Sequence, residues 1–168
     1  MTDLGPRIRT ALVSINPTSE NPAWHGCPTA IGVLRGVSAA LAVWRPYPDA
    51  NNIREIALHA AFCENSVANR LSGKAVVAGF QQRKTGWAIR SDSIDEIQWK
   101  NEMALVKAIH ARLVAAVTNF DPGKLDQPAG KNTTRRAIEF IHGVAEHSLY
   151  HAAQMEMLKT LAKRQSYD

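Results

Sequence analysis

The stretch "HGVAEHSLYHAAQMEMLK", residues 142–159, places His147 and His151 four apart in a segment with helical periodicity. Four residues advance an α-helix by about 400°, so the two imidazoles lie only about 40° apart on one face. Side chains at that spacing can converge on one divalent ion, as the paired histidines of H-E-x-x-H helices do on zinc. This is not that protease motif, because Ser148 stands where its glutamate base would be. Two imidazoles leave a divalent ion under-coordinated, so a third donor has to come from another helix.

His59 is the natural third donor, set between Ile56, Ala60 and Cys63 on the inward face of "IREIALHAAFCENSVANRL". Cys63 lies one turn further along that face, and a thiolate is a strong zinc ligand, although buried free cysteine is common in cores. Glu55 lies one turn before His59 and could orient its ring or act as a base. Its spacing from Asn52 also gives it a structural use, as a helix-capping residue. The catalytic residue therefore stays unassigned, with Glu55 and Cys63 as candidates. His110 interrupts an apolar stripe and is expected to be packed or hydrogen-bonded. His142, nine residues before His151, should face elsewhere, and His25 in "AWHG" is expected to serve the surface or the local fold.

Four long helical regions must position these residues. "LGPRIRTALVSINP" forms a helix from about Pro6 to Ile15, with Pro6 in its first turn and Asn16-Pro17 ending it. A proline-rich loop follows. "PTAIGVLR" then resumes as helix up to Gly36, and Ser38 caps a further turn through Trp44, so the first helix is broken. The second starts at the N-cap Asn52 and runs to about Leu71, where Ser72-Gly73 stops it. "GKAVVAGFQQRKTGWAIRSDS" is a long connection with expected helical turns near Val76. The third helix opens with a capping box at Ser93 and Glu96 and carries the stripe Trp99, Met103, Val106, His110, Leu113, Val117 and Phe120. The fourth, capped by Thr133 or Thr134, extends to about Lys163, with Ile138, Ile141, Val144, His151, Met155 and Leu158 inward. With no convincing strand, the expectation is an all-α, four-helix-bundle fold and a single domain over residues 1–168.

Composition fits that reading. Of 168 residues, 45% are hydrophobic and 21% charged, and no apolar run approaches a membrane span. The start "MTDLGPRIRT" lacks the apolar middle of a signal peptide, so the cytoplasm is the expected location. Cys27 and Cys63 make neither a C-x-x-C pair nor a disulfide framework, and free thiols are expected. The net charge of +5 comes from scattered Lys and Arg with no nucleic-acid motif, and neither a specific nucleic acid nor a membrane is expected as partner.

Three stretches carry a family resemblance: "PAWHG" leading into "IREIALHAAFCENSVANRLSG", then "IQWKNEMALVKAIHARLVAAV", then "IHGVAEHSLYHAAQMEMLK". Together they resemble the DinB-like (YfiT-like) superfamily of metal-binding four-helix bundles, across most of residues 22–161. In that family a single His on the second helix and the H-x-x-x-H pair on the fourth bind a divalent metal. These fall on His59, His147 and His151, the three residues helix geometry selects. Where the family more often has Gly before the Gln that follows the pair, this chain has Ala153 before Gln154.

The resemblance further implies a homodimer, and activities such as thiol-dependent S-transfer with a low-molecular-weight thiol, or hydrolysis of a small-molecule substrate. The alternative to an enzyme is a non-catalytic metal-binding or stress-associated bundle with a structural or vestigial site. Three imidazoles favour zinc or nickel as the ion. A cation with an open position stabilises either a thiolate or an activated water, and the residues alone do not choose between them.

Overall fold

The computed structural model describes residues 5–23, 26, 28–130 and 132–165. His25 and Cys27 fall outside these, and with them the expectations placed on both. Among the described residues there are five α-helices: α1 Pro6–Ile15, α2 Ala39–Val43, α3 Ile53–Ser72, α4 Glu96–Thr118 and α5 Ala137–Gln165. Among the described residues there is no strand, only isolated bridges Gln82–Ala88 and Pro128–Arg136. α3 packs against both α4 and α5, and α1 closes the other side against the same two helices. The long helices thus form a bundle with α1 diagonal to α3, the all-α architecture expected.

Local chemistry sets the helix ends. Asn52 and Glu55 form the expected capping box on α3, each side chain accepting from the other's backbone N–H, and Gly73 ends the helix at φ +67°. Ser38 caps α2 by accepting from the Leu41 N–H. Several expectations need correction. "PTAIGVLR" makes only a single 3-10 turn, Gly32–Leu34, held by Thr29 Oγ1 accepting from the Gly32 N–H and stopped at Gly36, φ +72°. α4 is capped by Asp95 rather than Ser93, and Glu96 instead accepts from the Ala39 N–H at 2.8 Å, tying α2 to α4. Thr133 and Thr134 stand before α5 without capping it; Glu139 accepts from the Arg136 N–H at its start.

The connection from Gly73 to Asp95 has no helical turn near Val76. It is held by side chains that reach its carbonyls. Asn65 and Asn69 donate to the Val76 carbonyl, Arg54 to that of Ile89, and Asn52 and Arg45 to that of Ser91. Arg112 fixes the two asparagines from α4 by donating to both amide oxygens.

The apolar interior falls into two clusters. One gathers Leu58, Trp99, Val106 and Met155 with α2; the other gathers Ile8, Leu113, Val117 and Ile141 with α1. Full burial of each such large side chain contributes ~1.5–3 kcal/mol.

Candidate metal centre

Between the two clusters, α3 and α5 each present a donor pair one turn apart: His59 and Cys63 on α3, His147 and His151 on α5. The His59 ring lies 5.3 Å from that of His147 and 5.1 Å from that of His151, centroid to centroid. His147 and His151 bring their Nε2 atoms to 3.1 Å, and Cys63 Sγ stands 3.9 Å from His59 Nε2. Ligand atoms of His59, Cys63 and His147 all lie within 4.8 Å of one another. Two nitrogens on a tetrahedral zinc are separated by ~3.3 Å, and a nitrogen and a sulfur by ~3.5 Å, given the usual bond lengths. Both observed i, i+4 separations are therefore within a few tenths of an ångström of what one shared ion requires.

The rings are fixed from behind. A carbonyl oxygen only accepts, so His59 Nδ1 carries the proton it donates to Gly86 O at 3.2 Å, leaving the Nε2 lone pair free. Trp87, the next residue, stacks on the His59 ring at 4.0 Å with 4° between the planes and meets His151 edge-on. His151 Nδ1 donates to Gln154 Oε1 at 2.7 Å, which leaves its Nε2 unprotonated and facing His147. His147 Nδ1 is buried with no hydrogen-bond partner. Whichever nitrogen of His147 holds its proton, the protein alone leaves the ring unsatisfied, at a desolvation cost of ~1–3 kcal/mol. Unprotonated imidazole nitrogens at these spacings, half-buried at His59 and His147 and beside the Cys63 sulfur, fit a cation.

Electrostatics keeps the donors neutral. Burial lowers the pKa of His59, and of His147, where the neighbouring His59 adds to the effect. Burial pushes His151 down to about 4, outweighing its bond to Gln154. At neutral pH no proton competes for these lone pairs. The Cys63 thiol is driven the other way, to about 11, by burial and then by the Glu64 charge, so without a cation it stays protonated.

Glu55 does not meet His59. It is wholly buried and ion-paired to Arg45 at 2.8 Å, with Arg90 beyond at 3.8 Å. Burial opposes its charge, but the Arg45 hydrogen bonds and charge outweigh this and hold its carboxyl below the usual range. The acceptor for His59 is the Gly86 carbonyl. His110 is hydrogen-bonded as expected, its Nδ1 lying 3.1 Å from Glu64 Oε2. Glu64, 3% exposed, also accepts from Ser148 Oγ at 2.9 Å, so the residue that replaces the protease base is tied to a buried carboxylate. His142 is exposed.

Glu64, Gly86 and Trp87 were not singled out in the sequence. Glu64 had a signal: it sits four residues from both Ala60 and Ala68 on the inward face. Gly86 and Trp87 had none, lying in a connection without periodicity.

No curated protein and no solved structure matches the chain. The family model of the DinB superfamily matches residues 29–155, a span that takes in both donor pairs and the loop that backs them. The chain belongs to the DinB superfamily.

Proposed function

We propose that the protein is a metal-dependent enzyme that binds a divalent ion, zinc or nickel, through His59, His147 and His151. One observation carries this reading: the His147 and His151 Nε2 atoms stand 3.1 Å apart, and the centre of the His59 ring, whose Nε2 is unprotonated, lies about 5 Å from the centres of both their rings. Gly86 and Gln154 act as the outer partners that fix ring orientation in metal sites. Bound there, the ion supplies Lewis acidity, favouring the deprotonated form of a thiol or of water. The chain's own part is to hold neutral imidazoles in register and to cover one side of the site with the Trp87 indole. The reaction is S-transfer from a low-molecular-weight thiol, or hydrolysis, on a small molecule, in a cytoplasmic protein.

The test is elemental analysis of the wild type and the three single His→Ala variants, with circular dichroism as control. Near-stoichiometric metal in the wild type, lost in each variant at unchanged helix content, supports the reading; equal metal in all four overturns it. Loaded and metal-stripped protein are then screened with thiols against electrophiles, and with esters and amides. Turnover only in the loaded form supports an enzyme.

Cys63 favours a second reading, a non-catalytic metal-binding bundle. With Sγ 3.9 Å from His59 Nε2, it can complete a four-donor sphere that leaves no open position. Cys63→Ser separates the two: collapse of metal affinity selects the closed sphere, retention the open one.

A further inference from the structure

The outer face of α5 carries Leu149, Tyr150, Ala153, Met157 and Leu161 in one stripe, and all five are exposed. The four large side chains are 38%, 61%, 66% and 41% exposed respectively. A groove of about 530 Å³ runs along the stripe, lined by Leu149, Ala153, Met157 and Leu161 and also by Pro28 and by Glu156, which is ion-paired to Lys159. A contiguous apolar strip of this kind marks an interaction surface rather than ordinary scattered exposure. Glu146 bounds it at one end and Arg164 at the other. Neither charge has a partner among the described residues.

The order of these residues says what covers the strip. Glu146, Leu149, Tyr150, Ala153, Met157, Thr160, Leu161 and Arg164 follow one another at steps of 3, 1, 3, 4, 3, 1 and 3, a spacing that reads the same from either end. All eight lie within about 120° of helix circumference. A second α5 laid antiparallel about the level of Met155 sets Leu149 against Leu161, Ala153 against Met157 and Tyr150 against Thr160. It also sets Glu146 against Arg164, twice, because a two-fold interface repeats every contact. Small faces large at the centre, and opposite unpaired charges meet at the ends.

We propose that the partner for this surface is a second copy of the chain, packed antiparallel through α5 in this register. The superfamily resemblance implies a dimer but gives neither surface nor orientation; those come from the palindromic stripe. Burial of the five apolar residues drives association, and the terminal charges fix direction. A parallel partner would set Glu146 against Glu146 and Arg164 against Arg164. Tyr150 also lies with its ring 5.0 Å from that of His151, so the interface covers the outer flank of the donor pair.

The experiment measures mass by light scattering across a dilution series, for the full chain and for variants at exposed positions whose circular dichroism matches the wild type. The wild type runs as a dimer. Met157→Arg weakens association by roughly tenfold or more, as loss of a central contact does. Glu146→Arg and Arg164→Glu each weaken it several-fold, and the two reversals together restore it. A wild type monomeric at every concentration overturns the proposal, as does a dimer indifferent to Met157→Arg. Failure of the double reversal to recover what the singles lose overturns the antiparallel register. Mass is read without reference to metal, so a failed metal reading leaves this result standing.

Discussion

The indole of Trp87 lies flat on the imidazole of His59, ring centres 4.0 Å apart, one residue from the carbonyl that receives the same ring's proton. A single tight turn, closed by Arg83 N–H to Trp87 O and Gly86 N–H to Arg83 O, therefore sets both the position and the tautomer of a helix residue 27 positions earlier.

That turn depends on Gly86. Its φ is +80°, and a Cβ there would stand 2.6 Å from the Phe62 ring. Gly86→Ala must displace the carbonyl or the ring. Metal affinity is expected to fall by ~10–100-fold, the usual cost of losing an outer partner, although every donor is still present. Competition titration against a chelating dye measures it. Wild-type affinity in the variant would remove Gly86 from the site.

Acid should destabilise the metal-stripped protein in a defined window. The folded His151 pKa of about 4 is below its ordinary 6.5, so the unfolded chain binds more protons between those values. Stability then rises with pH across that interval: it is full above about pH 6.5 and falls by up to ~3 kcal/mol on descent to about pH 4. Urea melts at several pH values check this against His151→Gln, whose profile should be flatter. Parallel profiles would contradict the assignment.

Glu55 and Arg45 form a buried pair, 0% and 8% exposed, and removing one partner strands the other. Glu55→Gln is expected to cost ~3–5 kcal/mol, and a double replacement by apolar residues considerably less. Because the Glu55 carboxyl is held below its ordinary range, its contribution is present above the unfolded pKa and disappears as pH drops through the folded one. Denaturant midpoints of the single and double variants measure it. Equal losses in both would show that the charge pairing is immaterial.

Ser148→Ala separates structure from chemistry at the position where zinc proteases carry their base. The lost bond to the buried Glu64 carboxylate should cost ~1.5–3 kcal/mol. Metal content should remain at the wild-type level. A variant that keeps its stability but loses metal would put Ser148 in the donor set.

The helices that carry donors were the most legible part of the sequence. Asn52 with Glu55, and the regular inward stripe of α5, specify both helices through local periodicity and capping alone, and His59, His147 and His151 inherit their faces from that. Ser93, Thr133 and Thr134 misled because several adjacent polar residues can each cap a helix, and tertiary contacts chose among them: Glu96 left its capping position to hold Ala39. Gly86 and Trp87 stayed invisible for a related reason. They sit in a segment fixed by Arg54, Arg112 and asparagine side chains from elsewhere in the chain, which no short-range pattern records.

His59, Cys63, Glu64, His110, His147 and Ser148 share one level of the bundle, between its two apolar clusters. The interior is thus two oily compartments parted by a polar diaphragm, and dispersion contacts do not run uninterrupted from one to the other. Cooperativity across that level has to pass through helix backbones and these few polar bonds. An ion bridging α3 and α5 there would act as a rivet, merging two semi-independent melting units into one, visible as slowed amide exchange at the helix ends distant from the ion itself.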